Sequence, residues 1–87
     1  MILEGRLYVE NVPIAIRTVT HSNPDVRFSM ELEETLIILC RELEIPTPMW
    51  LSKSTHEFAA FKQTLFFADQ YNEDVKFDRF QMKLIES

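Results

Sequence analysis

Half of the aromatic residues in this chain fall within one segment, residues 46–69. The segment holds five of the ten aromatic side chains, namely Trp50, Phe58, Phe61, Phe66 and Phe67. An aromatic side chain removes about 150–250 Å² of surface from water when it is buried. A chain of 87 residues has few other ways to fill a core. We therefore expect Phe58, Phe61 and Phe66 to face inward and to hold the helices against the sheet.

The length of the chain predicts a single domain, residues 1–87, near the lower end of the sizes that fold alone. A hydrophobic content of 46% is too high for a disordered chain. Gly5 is the single glycine, and glycine-rich phosphate loops need several glycines at fixed spacing. The composition therefore argues against the enzymes that use such loops to bind dinucleotides or nucleoside triphosphates.

Charge, cysteine content and the length of the apolar stretches predict the compartment and argue against two kinds of partner, nucleic acid and membrane. The net charge of −5 argues against binding to nucleic acid, which requires clustered Lys and Arg. Cys40 is the single cysteine, so no disulfide forms within the chain and a reducing compartment fits best. The first ten residues carry three charges and do not resemble a signal peptide. No apolar stretch approaches the roughly 18 residues of a membrane span. We expect a cytoplasmic protein with no membrane partner.

Alternating apolar residues predict a β-hairpin at the start of the chain. Leu3, Gly5, Leu7 and Val9 share one side of a first strand over residues 2–10, and a second strand covers residues 13–20. We expect a register in which Val9 lies opposite Ile14. This register leaves an outward face that carries Tyr8, Ala15 and Val19. Because this face is apolar, we expect another element or another subunit to cover it.

Two helices are predicted in the middle of the chain. Ser29 is a favourable N-cap for a first helix over residues 30–44. Its apolar stripe comprises Leu32, Leu36, Leu39, Cys40 and Leu43. Ile37 and Ile38 widen this stripe beyond the width of one packed face. The pattern from Ser54 to Glu57 matches a capping box, which predicts a second helix from Thr55 to Thr64. We expect Phe66 and Phe67 to continue in irregular or extended structure.

A last strand is predicted over residues 79–86, where apolar and polar residues alternate again. Three strands, with two consecutive helices between the second and the third, predict an α+β domain of order ββααβ. Its sheet would be small, antiparallel and three-stranded, and both helices would pack on it. We expect the last strand to join one edge of the hairpin.

Several segments of the chain together resemble a group of short uncharacterised proteins of anaerobic Gram-positive bacteria. These segments are the hairpin, SNPDVRFSMELEETLIILCRELEIP, MWLSKSTHEFAAFKQTLFFADQY and VKFDRFQMKL. The resemblance extends from the hairpin to the last strand. It implies a bacterial, cytoplasmic setting. It implies no activity, cofactor or catalytic residue for any position of this chain.

The sequence contains no convincing catalytic, cofactor or metal site. Cys40 with His21 or His56 could form a thiol and base pair, but Cys40 lies on the apolar stripe and is better interpreted as core. Two histidines 35 positions apart are a weak metal signal. The acidic loop with Asp69, Glu73 and Asp74 lacks the spacing and glycine of an EF-hand. We therefore expect no enzymatic activity and no cofactor.

The leading hypothesis is a non-enzymatic structural or protein-interaction module that acts as a homo-oligomer, most simply a homodimer. An unidentified protein partner is also compatible with the sequence. The predicted interface comprises Tyr8, Val19, Ile37, Ile38 and Trp50. The alternative is a module that binds a small ligand or a metal. Its pocket would lie between the sheet and the second helix and would be lined by Trp50, Phe66, Tyr71 and His56.

Overall fold

The structure is a computed structural model that describes all residues from Met1 to Ser87. Four strands and two helices follow one another along the chain. They are β1 (Ile2–Val9), β2 (Val12–Thr20), α1 (Phe28–Leu43), α2 (Ser52–Phe61), β3 (Gln63–Phe67) and β4 (Arg79–Glu86). A short 3₁₀ turn, Ala68–Gln70, follows β3. The order ββααββ adds one strand to the predicted order.

The four strands form one antiparallel sheet in the order β2-β1-β4-β3. The α+β class, the two helices, the antiparallel sheet and the pairing of the last strand with the hairpin are confirmed. The prediction of three strands is wrong, because the residues after α2, which were expected to be irregular or extended, pair with β4 as a fourth strand. Thr64 pairs with Met82 and Phe66 with Phe80, so the aromatic pair at positions 66 and 67 belongs to an edge strand.

Both helices pack on one face of the sheet, which we call the inner face. On β1 this face carries Leu3, Gly5 and Leu7, all buried. On the central strand β4, Met82 lies beside Gly5 and Phe80 beside Leu7, and both are fully buried. Helix α1 contacts β1 and β2, and α2 contacts β3. The core therefore lies in one layer between the two helices and the sheet.

The hairpin register differs from the predicted one because β2 contains a bulge. Leu7 pairs with Ala15, but the next residue of β1, Tyr8, pairs with Pro13, so Ile14 is the additional residue. A bulge inserts one residue into a strand and reverses the faces of the residues beyond it. Leu3 pairs with Val19. Val19 and Ala15 consequently lie on the inner face, and the prediction that they point outward is wrong.

Helix α1 has the predicted apolar stripe, since all five of its predicted members are buried. The helix begins at Phe28, two residues earlier than predicted. Arg27 rather than Ser29 precedes it, and no side chain caps it there. Glu31 in the first turn accepts a hydrogen bond from the backbone N–H of Asn23, at 3.1 Å. The preceding loop is thereby attached to the start of the helix.

Helix α2 begins before the predicted capping box and ends before its predicted end. Ser54 is buried inside the first turn, and its hydroxyl accepts a hydrogen bond from the N–H of Leu51, at 3.3 Å. Thr64 lies in β3 and donates to the carboxylate of Glu57, at 2.6 Å. Phe58 is 6% exposed and Phe61 is 67% exposed. The expected inward orientation is confirmed for Phe58 and Phe66 and is wrong for Phe61.

Candidate interaction surfaces

Strand β2 forms one edge of the sheet and pairs with β1 alone. Three aliphatic side chains along it are exposed, Val12 by 60%, Ile14 by 53% and Ile16 by 44%. Arg17 is the only charged residue in the strand. Folded proteins usually protect an edge with charges, prolines, bulges or a covering element. Here the protection is limited to Pro13, the bulge at Ile14 and one arginine, so β2 is a candidate pairing surface.

The opposite edge of the sheet is shorter and differs in character. Strand β3 has five residues, compared with nine in β2. The ammonium group of Lys53 lies 4.9 Å from the centre of the Phe67 ring, a cation–π contact at the exposed end of the strand. A short edge next to a lysine is a poor template for another strand. The two edges are therefore not equivalent.

The outer face of the sheet, which no helix covers, is largely polar. Tyr8 donates to Gln81, at 3.2 Å, and Gln81 donates to Gln63, at 2.8 Å. Arg6 pairs with Glu4 at 2.8 Å. The guanidinium of Arg79 lies 4.2 Å from the centre of the Tyr8 ring. These interactions pair polar side chains of β1, β3 and β4 with one another on the outer face.

An apolar groove lies between the two helices and has a volume of about 650 Å³. Helix α1 contributes Phe28, Leu36 and Ile37 to its walls. Trp50, from the segment that connects the helices, lines the same groove together with Phe58 of α2. Phe28 and Trp50 are both exposed. A concave apolar surface of this size is characteristic of a small-molecule site.

The five predicted interface residues do not form a single surface. Tyr8 lies on the outer face, whereas Ile37 and Trp50 line the groove. Ile38 is half-buried and packs against the core. Val19 is 8% exposed because the bulge turns it towards α1, so it is unavailable to a partner. The structure thus brings together only Ile37 and Trp50.

The pocket predicted from Trp50, Phe66, Tyr71 and His56 does not form. Phe66 is fully buried beneath Trp50, with their ring centres 5.9 Å apart. Tyr71 packs against Phe77, with ring centres 5.4 Å apart, and burial raises the pKa of its hydroxyl. His56 is exposed. Of the four residues, Trp50 alone lines the groove between the helices.

The interpretation of Cys40 as a core residue is confirmed. Its side chain is buried, and this burial raises the pKa of the thiol to about 12. A thiol in this state is a poor nucleophile at neutral pH.

His21 lies 3.0 Å from the carboxylate of Glu34. Hydrogen bonds from His21 and Asn23 lower the pKa of Glu34.

Sequence reasoning missed the residues that make β2 and the groove distinctive. A register with Val9 opposite Ile14, which assumes regular alternation from Pro13 onward, places Ile14 on the inner face, whereas Ile14 and Ile16 are both exposed. Pro13 was the available signal, since a proline near the start of a strand is often accompanied by a bulge or an edge position. Phe28 lies before the predicted helix, so its contribution to the groove was not recognised.

No group of three or more His, Cys, Asp or Glu side chains is arranged to hold a metal ion. Neither helix is long and apolar enough to cross a membrane. Comparison of the chain with protein-family models, with curated proteins and with solved structures found no match.

Proposed function

We propose that this protein is a non-enzymatic interaction module that pairs with a second copy of itself through the β2 edge. The observation that carries the proposal is the exposure of three aliphatic side chains, Val12, Ile14 and Ile16, along a nine-residue strand that lacks a neighbour on one side. Backbone N–H and C=O groups on such an edge are available for a further strand. Pairing would satisfy these groups and would remove apolar surface from water.

The register of such a pair is restricted by the bulge and by Arg17. The segment Ala15–Thr20 pairs with β1 without interruption, so it offers a regular template for an antiparallel partner strand. A two-fold axis at Arg17 would place the two guanidinium groups opposite each other, which is unfavourable. An axis at Ile16 or at Thr18 would separate them. We therefore expect a continuous eight-stranded sheet centred on one of these two positions.

Pairing along one edge buries less surface than a standard stable interface, which covers about 1,200–2,000 Å² in total. The exposed aliphatic side chains would add to the backbone contacts, but the contact would still be small. We therefore expect a dimer that dissociates on dilution rather than a permanent one.

Mass measurement in solution tests this proposal. Light scattering after size exclusion should give twice the chain mass of 10.3 kDa at high concentration and the chain mass after dilution. Ile16→Lys should favour the monomer, because a charge on an edge strand opposes pairing. Met49→Lys is the matched control, since Met49 is exposed but lies between the helices in sequence. A wild-type mass of one chain at every concentration would refute self-pairing.

We also propose that the protein works in a reducing, bacterial cytoplasm. The buried free thiol of Cys40 and the resemblance to short proteins of anaerobic bacteria support this setting. The absence of an activated thiol at Cys40, whose pKa is raised to about 12, supports a role without thiol catalysis.

A further inference from the structure

The groove between α1 and α2 is independent of the proposed dimer contact. It lies on the helical side of the domain, and no residue of β2 lines it. Its apolar walls include Phe28, Ile37, Trp50 and Phe58. Helices α1 and α2 each pack on the sheet, so the sheet fixes both walls of the groove.

Trp50 is held in place by contacts within the protein. Its indole N–H donates a hydrogen bond to the hydroxyl of Thr55, at 2.8 Å. Its ring meets Phe58 edge to face, with the centres 6.0 Å apart, and lies 5.9 Å from the centre of Phe66. A side chain fixed at both its polar and its apolar end loses little entropy when a ligand binds. The groove is therefore largely pre-organised.

The volume of the groove matches that of a small-molecule site. It measures about 650 Å³. A drug-sized molecule fits the groove, since such sites measure about 300–1,000 Å³.

The charges at the groove favour a ligand without net charge. Glu33 and Lys62 are its only charged lining residues, and they have opposite signs. Together they give a charged ligand no net attraction to offset the cost of removing its charge from water. We propose that the groove binds an uncharged, mainly apolar small molecule that carries an aromatic or branched aliphatic group, with Trp50 as its principal contact.

Two dyes that share an aromatic skeleton test both the site and the charge preference. N-phenyl-1-naphthylamine is neutral, and 8-anilinonaphthalene-1-sulfonate carries one negative charge. The neutral dye should bind saturably at one site per chain and should quench the emission of Trp50, the single tryptophan. The sulfonate should bind at least about tenfold more weakly, which corresponds to about 1.4 kcal/mol.

A pair of neighbouring substitutions locates the dye. Ala59 and Ala60 are both exposed residues of α2, but only Ala59 lines the groove. Ala59→Phe should fill the groove and weaken binding of the neutral dye about tenfold or more. Ala60→Phe adds the same ring outside the groove and should leave binding unchanged.

Three results would overturn the proposal. They are the lack of saturable binding with quenching of Trp50, equal loss of binding in both alanine variants, and sulfonate binding as tight as that of the neutral dye. Because the quenching is measured on the wild-type chain, the test does not depend on the folding of a variant. Ile16→Lys should bind the neutral dye normally, which separates this site from the proposed dimer.

Discussion

At the scale of single residues, burial changes the chemistry of Cys40. The side chain packs on the apolar stripe of α1 and has no exposed surface from which to react. Its pKa rises from 9.0 to about 12 on burial. The folded state therefore retains its proton in a pH range in which the unfolded chain loses it.

This difference in pKa predicts a loss of stability in alkali. Well below pH 9 both states hold the proton, and the stability contributed by the neutral thiol is fully present. As the pH rises towards 12, the unfolded state loses protons and the free energy of unfolding falls. We expect about 1 kcal/mol of loss from this group between pH 8 and pH 10. Tyr71, whose pKa is also raised, acts with the same sign at higher pH.

Urea denaturation at a series of pH values checks this prediction. The Cys40→Ala variant will be less stable overall because it leaves a cavity. Its stability should nevertheless decline less between pH 8 and pH 10 than that of the wild type. An identical decline in both proteins would contradict the assignment.

Gly5 is a second residue whose identity is determined by packing. A methyl group at this position would lie 2.9 Å from Leu43 Cδ1 and 2.9 Å from Phe80 Cε1. Both side chains belong to the core, and the Phe80 ring is fully buried. The φ angle of Gly5 is not positive, so the requirement for glycine comes from close approach of the helix rather than from backbone conformation.

Gly5→Ala should therefore destabilise the protein. Overpacking of a core typically costs about 1–3 kcal/mol, which exceeds the gain of about 0.5–1 kcal/mol expected from removing a glycine from a strand. Urea denaturation followed by circular dichroism measures the difference. An unchanged or increased midpoint would show that α1 can move away from the sheet at little cost.

At the scale of elements, α2 shows how far helical periodicity predicts orientation. Phe58 and Phe61 are three residues apart and were expected on one buried face. The helix ends at Phe61, and Lys62 then adopts a left-handed conformation that turns the chain into β3. The end of the helix therefore leaves Phe61 beyond the edge of the core, while Phe58 packs beneath Trp50.

The two phenylalanines form a matched pair for mutation. Phe58→Ala should cost about 3–5 kcal/mol, because it removes a buried ring and leaves a cavity. Phe61→Ala should change the stability by less than about 0.5 kcal/mol, as is usual for exposed positions. Thermal and urea unfolding of the two variants provide the comparison. Similar costs would contradict the orientation of the helix.

Long, regular patterns were predictable from the sequence, and short or interrupted ones were not. The stripe of α1 from Leu32 to Leu43 and the alternation in β1 continue over several repeats, so a local irregularity does not obscure them. Strand β3 has five residues, too few to distinguish it from an extended loop. The bulge at Ile14 changes the face of the residues around it. Pro13 indicates an edge or a bulge nearby, but the position of the bulge depends on pairing with Tyr8, which is not a local pattern.

At the scale of the whole molecule, the candidate surfaces divide between the two sides of the domain. The groove is built from helical and connecting residues alone, whereas the edge belongs to β2. The predicted interface combined Tyr8 of the outer face with Ile37 and Trp50 of the groove, since a sequence does not reveal which exposed residues share a surface. Val19 belongs to no interaction surface, because it pairs with Leu3 and α1 packs against the hairpin. Only the structure shows this.

The two edges of the sheet differ in length, and this difference limits how many copies an assembly can contain. If copies join β2 to β2, each copy uses its only long edge, and the outer strands of the product are the five-residue β3 strands. Head-to-tail addition, in which β2 of one copy meets β3 of the next, is the route by which sheets polymerise into fibres. The β3 edge is short and carries the contact between Lys53 and the Phe67 ring, which disfavours that route. An assembly of this kind therefore stops at a dimer.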